Sequence, residues 1–554
     1  MTATPDAAGR GLRSPAMTVG EAGAGTVRAP SGLVASADHL ASSAGVAALR
    51  AGGTAADAAV AAAAVLAVTL QHQCGLGGDL FALVHRPGEP VAALCAAGRA
   101  GSGADALTAR LEGLERLPPF GDIRAVTVPG CVDGWIELHR RYGRLPLPQV
   151  LEAAITYAAT GFPATTLLAA SAPLILEAKG ADDYLGPAMA AGGRLWPGAL
   201  VRRPGVARAL QAIAAEGRAG FYLGAFGEGL VRLGRGLFSR EDLAAPQAEW
   251  VEPLQVEAWG HTVHVPPPPS QGYLVAAGAA VAAELDLPDD PDDPRWAHLL
   301  AEAARVVAAD REDVLHEAAD GQRLLDPERL AARRALVDPD RRGTSPLPLA
   351  PGDTTVLGAI DAERCGVVLI QSNASAWGSR IVEPATGVVL HNRGLGFHLE
   401  DGHPALFAPG RRPPHTLAPA LVRRADGSLR GLVGTMGGDV QPQVVLQLLA
   451  RLLRHDQSPG RALRAGRWIH TRGGPRPPMG GFDLWTGEGP TALAIEAHAP
   501  EGWDEGLAAR GHAVERSPEA VDHRFGHAQV VEVAGEVLAG AADPRALDGA
   551  AIGY

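Results

Sequence analysis

Gly352-Asp353-Thr354-Thr355 is the stretch of this chain whose residue types could most directly do chemistry. A threonine hydroxyl is a weak nucleophile unless a base stands beside it, and the free α-amine of an N-terminal threonine is such a base. That amine would exist at Thr354 only after a cut between Asp353 and Thr354. Downstream, the apolar runs Val356–Ile360 and Val367–Ser372 flank the turn-like segment Asp361–Gly366, which predicts a β-hairpin. The midpoint of Thr354 and Ser372 is Glu363, inside that turn, so an in-register hairpin sets the two hydroxyls opposite each other within hydrogen-bonding reach. From the hairpin alone, an ordinary Thr-Thr strand start explains the same residues.

More of the chain bears on the choice. Asp353-Thr354-Thr355, the two short strands and then Trp377–Gly387 resemble the processing site of γ-glutamyltransferase-family hydrolases, N-terminal-nucleophile enzymes that cut themselves before a threonine. Val34–Ser36, Arg50–Val60 and Gly75–Gly78 resemble the family's first helix and the glycine turn after it. Val128-Pro129-Gly130 with Tyr142–Pro146, then Phe221-Tyr222, Glu241–Leu243, Pro266–Gly272 and Thr435–Gly438, continue the pattern in the expected order. On these motifs the chain is identified as a member of that family from about Ser31 almost to its end. The resemblance implies an α+β fold, a four-layer αββα sandwich. It also implies one interwoven domain cut into a large part ending at Asp353 and a small part, Thr354–Tyr554, which stay associated.

The same resemblance distributes roles. Thr354 would attack the Asp353 carbonyl in self-cleavage and a substrate carbonyl afterwards. Ser372 would be the second hydroxyl that bonds the nucleophile. Gly437 and Gly438 precede a helix, so their amides can converge on a developing oxyanion. Arg99 stands where the family binds a substrate α-carboxylate. His415 and Thr416 occupy the family's Ser-Ser position, with Thr416 keeping a hydroxyl for a carboxylate oxygen. Asn373, in Gln371-Ser372-Asn373, and Leu390–Gly394 resemble a divergent branch of the family and add Asn373 and Arg393 to the candidate substrate contacts.

Three departures narrow the substrate. The family's usual receptors for a substrate ammonium fall on Ala374, Arg393 and Gly396 here, so that clamp is missing and a cation stands in it. Like charges at 4 Å repel by about 4 kcal/mol at an effective dielectric of 20. Ala374 and Arg380 also differ from the divergent branch, where a bulky residue and a glycine are expected. An acyl group with an extra carboxylate and no free α-amine fits these changes, a glutaryl or an oxalyl group for example. The expected activity is therefore a self-processing amide or acyl hydrolase or transferase. One alternative is a C–C hydrolase releasing an oxalyl group in 4-alkylproline-type antibiotic biosynthesis. Another is an uncleaved homologue that only binds.

Composition excludes other classes. The chain has 554 residues and a net charge of −12, against a nucleic-acid or anionic-membrane surface. Lys179 is its single lysine, and no phosphate-binding Gly-Lys-Ser/Thr loop occurs. Cys74, Cys95, Cys131 and Cys365 are widely spaced and read as thiols rather than disulfides or zinc ligands. His261/His264 and His398/His403 lack a third ligand, so no metal and no cofactor is expected. Met1–Pro30 lacks an apolar core for a signal peptide and reads as a disordered tail of a cytoplasmic protein. The partners expected are a small-molecule substrate and, with the oligomeric state left open, further copies of the chain.

By periodicity alone the chain is mixed α/β. Helices are expected over Asp38–Ala51, Ala55–Val68, Gln149–Thr160, Val206–Glu216, Arg295–Glu312 and Val444–Leu453. Strands are expected at Leu80–His85, Val91–Ala96, Val388–Asn392, Leu421–Arg423 and Leu429–Val433. The alanine-rich run Ala55–Leu70 carries Asp57 and is short for a membrane span, which predicts a buried core helix. Ser345-Pro346 and Leu349–Asp353 predict a loop ahead of the cut.

Overall fold

In the computed structural model, residues 25–175, 194–345, 352–472 and 491–554 are described. Strands Asp353–Ile360 and Gly366–Ala374 form the expected hairpin in the expected register, with Leu357 opposite Leu369 and Thr355 opposite Gln371. The Asp361 carboxylate closes the turn by accepting the amides of Glu363 and Cys365, each at 3.0 Å. Both strands are buried along their whole length, which is why they read as continuous apolar runs rather than alternating ones.

The hairpin lies at the centre of a seven-stranded antiparallel sheet, ordered 550–553, 33–36, 353–360, 366–374, 79–85, 92–96 and 249–251. A second seven-stranded antiparallel sheet runs 27–29, 537–542, 528–534, 429–435, 420–424, 261–265 and 254–258. Alternation along the hairpin divides its side chains. Val356, Ile360, Val368 and Ile370 enter a core shared with Leu421, Leu432, Val531 and Leu538 of the second sheet. Leu357, Ala359, Val367 and Leu369 face the helical layer that contains Ala55–Thr69. Helices Gly272–Ala283, Pro294–Ala308 and Gln441–Leu449 cover the outer face of the second sheet. The result is the four-layer αββα sandwich.

Helix Ala55–Thr69 is buried along its full length and starts with a capping box, in which Thr54 and Asp57 satisfy each other's backbone amides. No helix among the described residues is long and apolar enough to cross a membrane.

Several expectations need correction. The tail expected over Met1–Pro30 is shorter, because Val27–Ala29 pairs with Leu538–Gly540 as an edge strand; residues 1–24 lie outside the described part. The helix expected over Arg295–Glu312 stops at Ala308 and resumes as the short turn Arg311–Val314. That break lets the Arg311 side chain turn inward, a tertiary contact that periodicity does not register. The helix expected at Val444–Leu453 begins earlier, at Gln441. Lys179 and residues 346–351 of the expected pre-cleavage loop lie outside the described residues.

Candidate active site

At the open end of the hairpin the register slips. Asp353 pairs with Ala374 while Thr355 pairs with Gln371, so Thr354 faces the two residues Ser372 and Asn373. A bulge of this kind re-aims side chains. Here it gathers both hydroxyls on the carbonyl of Asp353. Thr354 Oγ1 lies 2.6 Å from that oxygen and 3.1 Å from Ser372 Oγ, and Ser372 Oγ donates to the same oxygen. The bulge brings a backbone strain with it. Ala374 adopts φ +76°, a left-handed conformation that disfavours any residue with a Cβ by about 1–2 kcal/mol. Its amide donates to Ser372 Oγ at 2.8 Å, which fixes the rotamer of the second hydroxyl. Thr354 and Ser372 are each about 1% exposed.

Strand Leu429–Thr435 of the opposite sheet ends beside this point and delivers Gly437 and Gly438, at φ +126° and +59°. Both angles call for glycine. A Cβ placed on Gly352 would sit 3.0 Å from Gly438 Cα and 3.5 Å from its nitrogen, so the chain entering the scissile bond passes directly over Gly438. Gln441, the first residue of the following helix, holds its side-chain amide 3.5 Å from Thr354 Oγ1.

A buried polar chain fixes the glycine turn. Gln271 donates to the carbonyls of Gly438 (2.9 Å) and Thr416 (2.8 Å), while its own oxygen accepts from Arg311 Nε at 3.2 Å. Arg311 Nη2 donates to Asp439 at 2.7 Å. Gln271, Arg311, Asp439 and Gln441 were not singled out as site residues from the sequence. Gln271 had a signal, since it closes the Pro266–Gly272 motif; Arg311 had none.

Arg393 stands on the other side of the hydroxyl pair. It is 3% exposed, donates to Thr416 Oγ1 at 3.0 Å and reaches Ser372 Oγ at 3.4 Å. Its Nε is buried with no partner, and no carboxylate among the described residues lies within ion-pairing distance of it. Burial pushes its pKa down to about 10, with Asp79 and Asp439 opposing and Arg311 adding to the shift, so the guanidinium is still a cation at neutral pH.

His415 does not face the nucleophile. Its Nε2 is 3.1 Å from Asp79, its Nδ1 accepts the Leu417 amide at 3.4 Å, and its ring meets the edge of Phe81. Burial, then the Arg393 charge, pushes it down to about 3, so it is neutral. Burial alone would raise the Asp79 carboxyl. His391 and His415 beside it, with the amide of Gly98, instead hold it below the usual carboxylate range.

The remaining candidates lie further out. Asn373 turns to the helical side of the sheet, where its amide donates to Gln71 O at 3.2 Å. Arg99 is part-exposed and engaged with Glu317 at 2.6 Å and with the Gly410 carbonyl at 2.9 Å, and Glu249 lies 3.8 Å away. At Gly396 an added Cβ would come within 2.7 Å of Pro414 O, so no acidic side chain fits there without movement. Arg380 takes φ +57°, where glycine would be unstrained, and lays its guanidinium over Phe120 at 3.8 Å.

One group among the described residues has metal-like spacing. His298, Glu302 and His512 bring their ligand atoms within 4.8 Å of one another. These atoms already have partners: His298 Nδ1 bonds His512 Nε2 at 2.8 Å, and Glu302 pairs with Arg305 and accepts the Gly343 amide. The group thus anchors the chain on its way to the cut. His398 and His403 stack on each other, and His264 is buried apart from them.

Comparison with known proteins agrees with this geometry. The family model for γ-glutamyltranspeptidase matches residues 41–554. The chain belongs to the γ-glutamyltranspeptidase family. It is similar to the oxamate amidohydrolase proenzyme of Klebsiella pneumoniae, with 34% identity over 94% of this chain and 98% of that one. It is also similar to a glutathione hydrolase-like proenzyme of Bacillus subtilis, with 33% identity over 94% and 98%. Among solved structures, the cephalosporin acylase from Bacillus halodurans superposes with a TM-score of 0.84, 29% identity and 99% coverage of both chains. This γ-glutamyltranspeptidase-family chain is therefore an N-terminal-nucleophile hydrolase from a divergent part of the family, where acylases and an amidohydrolase stand beside glutathione hydrolases.

Proposed function

We propose that this protein cuts itself between Asp353 and Thr354 and then hydrolyses an amide whose acyl group carries a second carboxylate. In the first step the Thr354 hydroxyl adds to the Asp353 carbonyl, its proton passes to the Thr354 nitrogen as the peptide C–N bond breaks, and water opens the resulting ester. The Ser372 hydroxyl donates to that carbonyl oxygen and polarises it for the attack. In the second step the new α-amine takes the hydroxyl proton, and Thr354 Oγ1 bonds the substrate carbonyl carbon. The oxyanion is received by the amides of Gly437 and Gly438, and the leaving amine departs with the proton. Water then releases the acid and restores Thr354.

The observation that carries the substrate reading is Arg393, a buried cation beside the proposed nucleophile with no carboxylate partner among the described residues. Leaving such a charge unpaired costs several kcal/mol, which a bound anion would recover. Oxamate, named for the Klebsiella relative, and glutaryl amides both supply one. Release of an oxalyl group by C–C hydrolysis would use the same nucleophile and the same anion site.

The test is intact mass and N-terminal sequencing of purified protein, followed by assay against anionic, neutral and γ-glutamyl anilides. A second N-terminus at Thr354 and preference for anionic acyl groups support the reading. An uncut, folded chain, or rapid turnover of the γ-glutamyl anilide, overturns it.

A further inference from the structure

We propose that Arg393 acts as a ruler that restricts this enzyme to short acyl groups, with the carboxylate bonded directly to the scissile carbonyl or one methylene away. The inference rests on the acyl-hydrolase reading above and deepens it.

The argument begins with the free edge of the guanidinium. A carboxylate binds arginine best as a fork on two parallel N–H groups. Arg393 spends Nη1 on Thr416, whereas Nε has no partner and Nη2 has only the 3.4 Å contact with Ser372 Oγ. The Nε–Nη2 edge is therefore the one left for a ligand, and it adjoins Ser372. Ser372 Oγ in turn touches the nucleophile at 3.1 Å. A single hydroxyl separates the anion fork from the attacking oxygen.

The substrate must satisfy both ends at once. Its carbonyl carbon has to lie about 3–3.5 Å from Thr354 Oγ1 for attack. In an oxalyl group the carboxylate carbon is about 1.5 Å from the attacked carbon, and in a glutaryl group roughly 5 Å when extended. The short group spans the gap across Ser372, while the long one carries its carboxylate past the fork unless it folds back. Folding back inside a site where Thr354, Ser372, Arg393 and Thr416 are all buried leaves methylenes pressed against hydroxyls.

Arg99 is the other arginine that a longer chain could seek. It is already neutralised by Glu317, with Glu249 close by, so a substrate carboxylate arriving there would compete with two fixed ones. Among the described residues no carboxylate pairs with Arg393.

The test uses the self-processed enzyme, verified by mass, on oxanilate, malonanilate, succinanilate and glutaranilate, with acetanilide as the neutral control. Loss of a charge-assisted contact of about 1.5–3 kcal/mol predicts that kcat/KM falls by roughly 10- to 150-fold from the two-carbon to the five-carbon acyl group. Arg393→Lys, a point charge without the fork, is expected to flatten that series. Should this variant fail to mature, competitive inhibition of the wild-type enzyme by oxalate against glutarate is the second measurement, with oxalate expected to bind tighter. Equal or better turnover of glutaranilate, or tighter binding of glutarate, overturns the ruler and leaves the acyl-hydrolase reading standing. A matured enzyme inert toward every anilide sinks that reading and the ruler with it.

Discussion

The Arg393 guanidinium reaches the Ser372 hydroxyl at 3.4 Å, and that hydroxyl stands 3.1 Å from Oγ1 of Thr354, the proposed nucleophile. The anion-binding charge and the attacking oxygen thus share one intermediary. Changing Arg393 should act on both substrate affinity and the state of the hydroxyl pair.

Arg393→Gln removes the charge while leaving donors for Thr416. For a carboxylate-bearing substrate we expect KM to rise by about 10- to 100-fold, the worth of a charge-assisted contact. For a neutral acyl group KM should hardly move. Steady-state kinetics on the two substrates checks this, and equal losses on both would remove Arg393 from carboxylate recognition.

Thr354→Ala should yield a single uncut chain of about the full 57.0 kDa. Thr354→Ser keeps a hydroxyl and should still mature. Ser372→Ala should mature slowly, because the Asp353 carbonyl loses the hydroxyl donor that is not itself the attacking group. Denaturing mass spectrometry over time distinguishes the three.

Arg311 touches neither the nucleophile nor its hydroxyl partner, yet it holds Gln271 and Asp439 on either side of Gly438. It is a positioning residue, so its loss should lower kcat with KM little changed. Removing one oxyanion donor typically costs 100- to 1000-fold, which bounds the effect from above. Arg311→Met alone also breaks the buried 2.7 Å ion pair with Asp439, at a cost of about 3–5 kcal/mol. The pair Arg311→Met with Asp439→Leu should therefore recover thermal stability without recovering kcat. Recovery of both would reduce Arg311 to a structural role.

The pH profile should have two limbs of different origin. An α-amine ordinarily titrates near 7.7–8.0 and works as a base only when deprotonated, so kcat/KM should fall as pH drops below that range. His415 is already neutral, being held near 3, and adds no limb between pH 5 and 9. At the alkaline end Arg393, pushed down to about 10, loses its charge as pH rises through that value. KM for a carboxylate-bearing substrate should then climb while that of a neutral one stays flat. Profiles measured on both substrates check the assignment.

Much of this was legible in the chain itself. The hairpin register followed from two apolar runs and the symmetric spacing of Thr354 and Ser372 about Glu363, because strand pairing is local and its period is two. The buried helix Ala55–Thr69 was legible too, expected over Ala55–Val68 from its alanine-rich run, whereas its Thr54/Asp57 capping box was not read from the sequence.

What only the tertiary structure decided is how charges separated by many residues pair. Arg99 and Arg393 look equivalent as letters, two arginines near one site. Folding sets Glu317, from more than two hundred residues away, against Arg99, and among the described residues gives the Arg393 side chain the hydroxyls of Thr416 and Ser372. His415 became an anchor on Asp79, and Arg311 became the brace of the glycine turn, through contacts no periodicity encodes. The sequence by itself determined the strand pairing that sets Thr354 against Ser372, because neighbours along the chain and across one turn interact by local geometry. The tertiary structure decided how the two arginines are paired, because burial and charge pairing are set only when distant segments meet.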